Sequence, residues 1–193
     1  MSNFFYQIDL SIFYFINHSL SNPLFDKFFV FITDVKNWFI TYLVLYLILI
    51  IKGGRRGRIS ALILIFLIVA SDQLSSVVLK NLIGRIRPCN VLNDVNLLVG
   101  CTNSFSFPSS HAVNNFAAAV FFSKLFPKYK WILLIVAFLV ALSRPYVGVH
   151  YPSDILGGAI IGSLLGILFS YLVIFIEKFF NEKIKKGKSS YEN

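Results

Sequence analysis

Five long apolar runs, at about 37–51, 59–80, 110–126, 131–147 and 154–177, constrain this chain more than any other feature. Each is continuous rather than alternating, so each predicts a helix and not a strand. A helix needs about 20 apolar residues to cross the hydrocarbon layer of a bilayer. Charged residues make up only 14% of the 193, against about 25% in an ordinary soluble domain. A disordered chain, a coiled coil and a soluble enzyme are thereby excluded, leaving an integral membrane protein.

Residues 3–20 and 23–36 are aromatic but interrupted by Gln7, Asp9, Asn17, His18, Asp26, Lys27, Asp34 and Lys36. Neither offers about 20 clean apolar residues, and one imperfect span is the alternative to two short helices. Both are expected as short amphipathic helices at the interface or on the bundle, with Pro23 breaking the chain between them. The expected fold is therefore all-α: a polytopic membrane helix bundle of about five transmembrane helices plus N-terminal interfacial helices. Its parts are residues 1–36, a bundle over 37–180 and a basic tail over 181–193. The opening MSNFFYQIDL has no basic stretch and no small-residue cleavage site after it, so no cleavable signal peptide is expected.

Net charge is +9. On a soluble protein that excess would point to nucleic acid; here the cations sort by side of the membrane. The turns KGGRRGR (52–58) and KLFPKYK (124–130), with Lys178, Lys183, Lys185, Lys186 and Lys188, hold twelve of the eighteen Lys and Arg. Alternating spans put all three places on one side, which the positive-inside rule makes cytoplasmic. The charge is topological, and no nucleic-acid partner is expected.

The opposite face collects what that rule leaves over. Segments 80–111 and 143–154 meet there, carrying Lys80, Arg85, Arg87, Arg144, His111, His150 and Asp154. A charged side chain at the bilayer centre costs roughly 2.5–3.5 kcal/mol on insertion scales, and such residues mark functional sites. Asp94 and Asp154 are the only carboxylates in these two segments, so the four cations call for an anionic ligand. Phosphate suits them, because Arg forks match its oxygens and Lys adds a point charge. Pro108-Ser109-Ser110-His111 opens an apolar run, which places the amides of Ser109, Ser110 and His111 at a helix start favourable to anions. Asp154 follows His150 by four residues, close enough to hold one imidazole nitrogen and leave the other as nucleophile or base.

The strings KNLIGRIRP, FPSSH and SRPYVGVHYPSD resemble the three signature motifs of the type 2 phosphatidic acid phosphatase superfamily, K-x6-R-P, P-S-G-H and S-R-x5-H-x3-D. That superfamily includes membrane lipid phosphatases, soluble acid phosphatases and vanadium haloperoxidases. One position departs: Ser110 stands where the family has glycine, which keeps the amide but asks for an unstrained backbone. The resemblance implies that His150 attacks phosphorus to form a phosphohistidine, that Asp154 orients His150, and that His111 protonates the departing oxygen and then activates water. It implies phosphate binding by Lys80, Arg87, Ser109, Ser110 and Arg144, with no cofactor and no metal.

The compact chain looks like bacterial members of that superfamily. This implies a multi-pass protein of the plasma (inner) membrane, with its site on the non-cytoplasmic face and a phosphorylated membrane lipid as partner. Undecaprenyl pyrophosphate, phosphatidylglycerol phosphate, phosphatidic acid and lipid A 1-phosphate all fit. Selective contacts are expected from 1–36, the 89–107 loop and lipid-facing helix surfaces. Two other readings stand beside this one: a vanadate-dependent peroxidase, and a phosphate or lipid transporter without chemistry.

Outside the motifs, Cys89 and Cys101 share the outward stretch and are expected to pair in an oxidising compartment. Gly158, Gly162 and Gly166 recur every four residues, the spacing of close helix packing. His18 is expected at the interface, and Tyr146 and Tyr151 in the aromatic belt or lining a headgroup pocket, with the belt placed first.

Overall fold

The computed structural model describes residues 2–189, with side chains for 4–183. The end of the basic tail, 190–193, and the side chains of Lys185, Lys186 and Lys188 lie outside the described residues. Among the described residues there is no strand. The helices are α1 (Ser2–Tyr14), α2 (Pro23–Thr33), α3 (Phe39–Lys52), α4 (Gly54–Gln73), α5 (Lys80–Ile83), α6 (Ser110–Leu125), α7 (Lys130–Tyr146) and α8 (Pro152–Ser189).

Four stretches are long and apolar enough to cross a membrane: Val35–Lys52, Gly54–Ile83, Pro127–Tyr146 and Pro152–Lys183. The fifth expected span, α6, has only 16 residues. At 1.5 Å per residue it is about 24 Å long, short of a layer about 30 Å thick. It can be short because it does not face lipid alone: it packs on α4, α7 and α8, and α8 is its largest neighbour.

In lipid the hydrophobic effect does not hold helices together; close van der Waals packing does. The glycines of α8 supply it. A Cβ at Gly162 would lie 2.2 Å from the Val113 carbonyl oxygen, and one at Gly166 2.5 Å from that of Ala117. Any side chain there would force α6 and α8 apart. Beside this seam, Ile63, Leu67, Ala117, Phe121, Leu125 and Val173 form a buried cluster joining α4, α6 and α8.

The three basic regions gather at one end. Arg56 pairs with Glu177 at 2.9 Å, Arg55 donates to Asn181 at 2.7 Å, and Lys124 sits over the Tyr171 ring. The motif segments converge at the other end, and there α1 and α2 pack on them. Asn17, fully buried, donates to the carbonyls of Asn96 at 2.9 Å and Tyr146 at 2.7 Å and accepts from the Asn96 amide. It thus ties the N-terminal helices to both motif-bearing loops.

This packing corrects the expectation for two aromatics. Tyr146 and Tyr151 are 0% and 2% exposed, not belt residues. The Tyr146 ring lies against Phe29, and its hydroxyl donates to Asp26 at 2.6 Å. α1 and α2 cover both tyrosines, and composition alone does not reveal a cover.

Candidate active site

The chain reaches the site by interrupting its own helices. Between α4 and α5 the helix widens into a π-helical turn over Leu74–Leu79. Such turns shift the register of the residues after them and are frequent at functional sites. Here the next residue is Lys80, 8% exposed near the end of an apolar stretch, Gly54–Ile83. Gly84, with φ 64°, then ends α5 in a left-handed turn. Only glycine takes that conformation without strain, and it releases Arg85–Arg87 as extended chain. Just beyond, Cys89 and Cys101 are joined by a disulfide that closes the loop.

Arg87 is buried and held from three sides. Its Nε and Nη2 donate to the carbonyl and hydroxyl of Ser104 at 2.8 and 3.0 Å, and its Nη1 donates to the Val149 carbonyl at 2.9 Å. The same Nη1 lies 3.0 Å from His150 Nε2. Guanidinium has no acceptor, so Nε2 carries the lone pair and Nδ1 carries the proton. Nδ1 faces Asp154 Oδ2 at 3.5 Å. The tighter contact to that oxygen is the Ser106 hydroxyl, at 2.5 Å, which also lies 3.3 Å from Nδ1. Ser106 therefore closes the pair into a triangle. Burial pushes the His150 imidazole down to about 3, helped by Arg87 and Arg144 and opposed by its bond to Asp154.

Ser109 is the N-cap of α6 and His111 its second residue. The Ser109 amide donates to the Asp154 carbonyl at 3.2 Å, so it is not the anion-facing amide that the sequence suggested. Its hydroxyl, by contrast, is buried with no partner among the described residues, and so is Arg144 Nε. Orphaned donors of this kind fit a phosphoryl group. At Ser110 the backbone is unstrained, since no described non-glycine residue has positive φ. Its extra hydroxyl meets Ser76 at 3.0 Å, and Ser76 in turn reaches Asp72. His111 Nε2 donates to the Thr33 carbonyl at 3.2 Å. The hydroxyl of the same Thr33 accepts from Arg144 Nη1, so one residue brings His111 and Arg144 together.

Two carboxylates fall differently from the sequence reading. Asp94 accepts the Tyr14 hydroxyl at 2.6 Å and takes no part in the cluster. Asp9, which was not singled out, pairs with Arg85 at 2.6 Å. Thr33, Ser104 and Ser106 were missed as well. For Asp9 a signal existed: a carboxylate in an otherwise aromatic and apolar helix calls for a partner when that helix is buried. The two serines and Thr33 carry no spacing rule. Among the described residues no three His, Cys, Asp or Glu side chains converge as metal ligands would.

A helical membrane bundle that gathers Lys80, Arg87 and Arg144 around a buried His–Asp pair is built to handle phosphoryl groups. A family model described as the PAP2 superfamily matches residues 60–177, more than half of the chain, and the chain belongs to that superfamily. It is 33% identical over 181 residues to the lipid A 4'-phosphatase of Bacteroides thetaiotaomicron, covering 89% of this chain and 80% of that one. Its fold resembles the crystal structure of Aquifex aeolicus LpxE, with a TM-score of 0.67 and 30% identity over 83% of this chain and 93% of that one. It also resembles a transmembrane PAP2-type phosphatidylglycerolphosphate phosphatase from Bacillus subtilis, with a TM-score of 0.66 and 29% identity over 94% and 88% of the two chains.

Proposed function

We propose that this chain, a membrane lipid phosphatase, cleaves a phosphate from a lipid headgroup through a phosphohistidine on His150. The observation that carries this reading is the setting of His150: Arg87, a donor only, faces Nε2, and Asp154 with Ser106 faces Nδ1, which assigns the proton to Nδ1. That is the arrangement a nitrogen nucleophile needs. As Arg87 Nη1 turns its hydrogen from Nε2 to a phosphoryl oxygen, Nε2 attacks phosphorus and the bond from phosphorus to the lipid oxygen breaks. His111, whose Nε2 proton stays hydrogen-bonded to the Thr33 carbonyl, gives that oxygen a second proton from Nδ1, which the phosphoryl charge sustains against burial and Arg144. Water then attacks the phosphohistidine while His111 takes back a proton, and inorganic phosphate leaves. Lys80, Arg87, Arg144, Ser109 and the Ser110 amide hold the phosphoryl oxygens as charge shifts between them. Positioning and charge stabilisation are most of what phosphoryl transfer asks for, and these cations do the work without a metal.

The substrate we place first is a lipid A phosphate, because the relative aligned over 89% of this chain is named a lipid A 4'-phosphatase. The site faces away from the cytoplasm, supported by the basic regions gathered at the opposite end and by the disulfide at the site end. The test is phosphate release by purified protein from lipid A, undecaprenyl pyrophosphate, phosphatidylglycerol phosphate and phosphatidic acid, with EDTA present. Release from lipid A at full rate is expected. No release from any of the four rejects phosphatase function; release only after a divalent metal is restored rejects the metal-free mechanism.

A further inference from the structure

Among the described residues, Arg85 is the one cation at this end whose partners are carboxylates. Its Nη1 donates to Asp154 Oδ1 and to the Ser153 hydroxyl, both at 2.6 Å, and its Nη2 donates to Asp9 Oδ2 at 2.6 Å. The guanidinium lies 4.0 Å over the Tyr151 ring. Two carboxylates already balance its charge, whereas the partners of Arg87 are all uncharged, so Arg85 is spent as an anion site where Arg87 is not. Asp9 is committed as fully. It is 7% exposed and accepts from the Ser153 amide at 2.8 Å and the Ser153 hydroxyl at 2.5 Å, in addition to Arg85. A carboxylate from α1 therefore caps the first turn of α8, the turn that carries Asp154.

The two oxygens of Asp154 are thus divided. Oδ1 belongs to Arg85, while Oδ2 takes the Ser106 hydroxyl, the Tyr151 amide at 2.8 Å and the His150 side. A carboxylate gripped at one oxygen cannot rotate about its terminal bond without breaking a charge-assisted hydrogen bond. We propose that Arg85, locked by Asp9, is a positioning residue that fixes the plane of Asp154 and so aims His150, which makes α1 part of the catalytic unit. This rests on the assignment of His150 as nucleophile. The charged and titratable groups around the pair are Arg85 and Arg87 from the extended chain, Lys80 from α5, Arg144 from α7, Tyr151 beside it, and Asp9 with Tyr6 from α1.

A positioning role and a phosphate-binding role separate in the kinetics. The full-length protein and its variants Arg85→Gln, Arg85→Lys, Asp9→Asn and the double variant Arg85→Gln/Asp9→Asn are assayed with nitrophenyl phosphate, and with inorganic phosphate as competitive inhibitor. Arg85→Gln should lower kcat by about 10–100-fold, the usual cost of removing a group that orients a reacting one, with the phosphate inhibition constant unchanged within twofold. Asp9→Asn should lower kcat less, also without touching phosphate binding. The double variant should be no worse than Arg85→Gln, because the two residues act through one contact. Arg85→Lys should restore part of the loss. If phosphate inhibition weakens in step with kcat, Arg85 belongs to the phosphate cage and the proposal is overturned. Multiplying effects in the double variant, or an Arg85→Gln kcat within twofold of wild type, overturn it equally. Should Arg85→Gln not fold, Asp9→Asn alone reads the same split, and an unchanged kcat there rejects the lock. A wild type without activity rejects the phosphatase reading itself, which none of these variant outcomes does.

Discussion

Arg87 Nη1 and His150 Nε2 stand 3.0 Å apart, with the imidazole buried on every side. Donation from Arg87 and loss of water both oppose a proton on that ring, and the group is pushed down to about 3. His150 is then a ready nucleophile across the acidic range in which an ordinary histidine has already charged. The same shift is a stability statement. Between about 3 and the ordinary 6.5, the unfolded chain binds the His150 proton and the folded chain does not. Stability from this residue is therefore complete above 6.5 and is lost as pH falls toward 3. Thermal unfolding of wild type and His150→Gln from pH 7 to 4 checks it: wild type should lose more on acidification. Parallel curves would show His150 to be ordinary.

Thr33 ends α2 and reaches both halves of the chemistry. Its hydroxyl accepts from Arg144 Nη1 and from the Ser143 hydroxyl, while its carbonyl holds His111. Thr33→Val keeps the shape and the carbonyl but removes the partner of Arg144. Hydrogen bonds to charged groups are worth about 1.5–3 kcal/mol, so binding of inorganic phosphate should weaken about tenfold or more. Thr33→Ser should bind as wild type does. Equal inhibition constants in Thr33→Val and wild type would show that Arg144 is held by something else.

The motif residues were legible because phosphoryl chemistry demands particular side chains at particular spacings. His150 lies two residues before α8 and Asp154 in its first turn, so their meeting across four residues needs no knowledge of the fold. Thr33, Asp9 and Ser106 are the opposite case. They meet His111, Ser153 and His150 across 78, 144 and 44 residues of chain respectively, through packing that no periodicity encodes. The helices were legible where lipid demands continuous apolar sequence. The bounds of α6 were legible to within a residue, 110–126 against Ser110–Leu125, but the helices that replace lipid around so short an element show only in three dimensions. Tyr146 and Tyr151 have the composition of belt residues; the N-terminal helices that bury them show only in three dimensions.

The Cys89–Cys101 disulfide braces the loop that begins just after Arg87. A closed loop of this size is worth about 3 kcal/mol in the chain-entropy model. Replacing both cysteines by serine should lower the unfolding temperature and weaken phosphate binding, since Arg87 loses support from behind. Reductant should reproduce the effect in wild type and do nothing to the double variant. Mass spectrometry finding two free thiols in protein taken from intact membranes would exclude the bridge.

Charge distribution predicts which end faces the cytoplasm. Arg56 is paired to Glu177 at the basic end, and Asn93 is exposed in the loop at the site end. Arg56→Cys should resist a membrane-impermeant maleimide in intact cells and react after permeabilisation. Asn93→Cys should react at once. The reverse pattern would turn the molecule over and put the site on the cytoplasmic side.

The two histidines differ in what they touch, so their removal should differ in kind. His150 borders Arg87 and Asp154, whereas His111 rests on Thr33 across the cation cluster. His150→Ala removes the attacking nitrogen, and turnover should fall to background with every substrate. His111→Ala leaves attack intact but removes the proton donor. A lipid or sugar alkoxide is a poor leaving group and needs that proton, with general-acid help typically worth about 10²–10⁴-fold. Nitrophenolate leaves without it. His111→Ala should therefore accept phosphate from nitrophenyl phosphate and then stall, because the water of the second step also lacks its base. Labelled phosphate should accumulate on the protein in an acid-labile, base-stable form, and treatment with hydroxylamine should release it. Asp154→Asn should slow lipid and nitrophenyl substrates alike, since orientation of His150 precedes both. Label retained by His150→Ala and absent from His111→Ala would exchange the two roles.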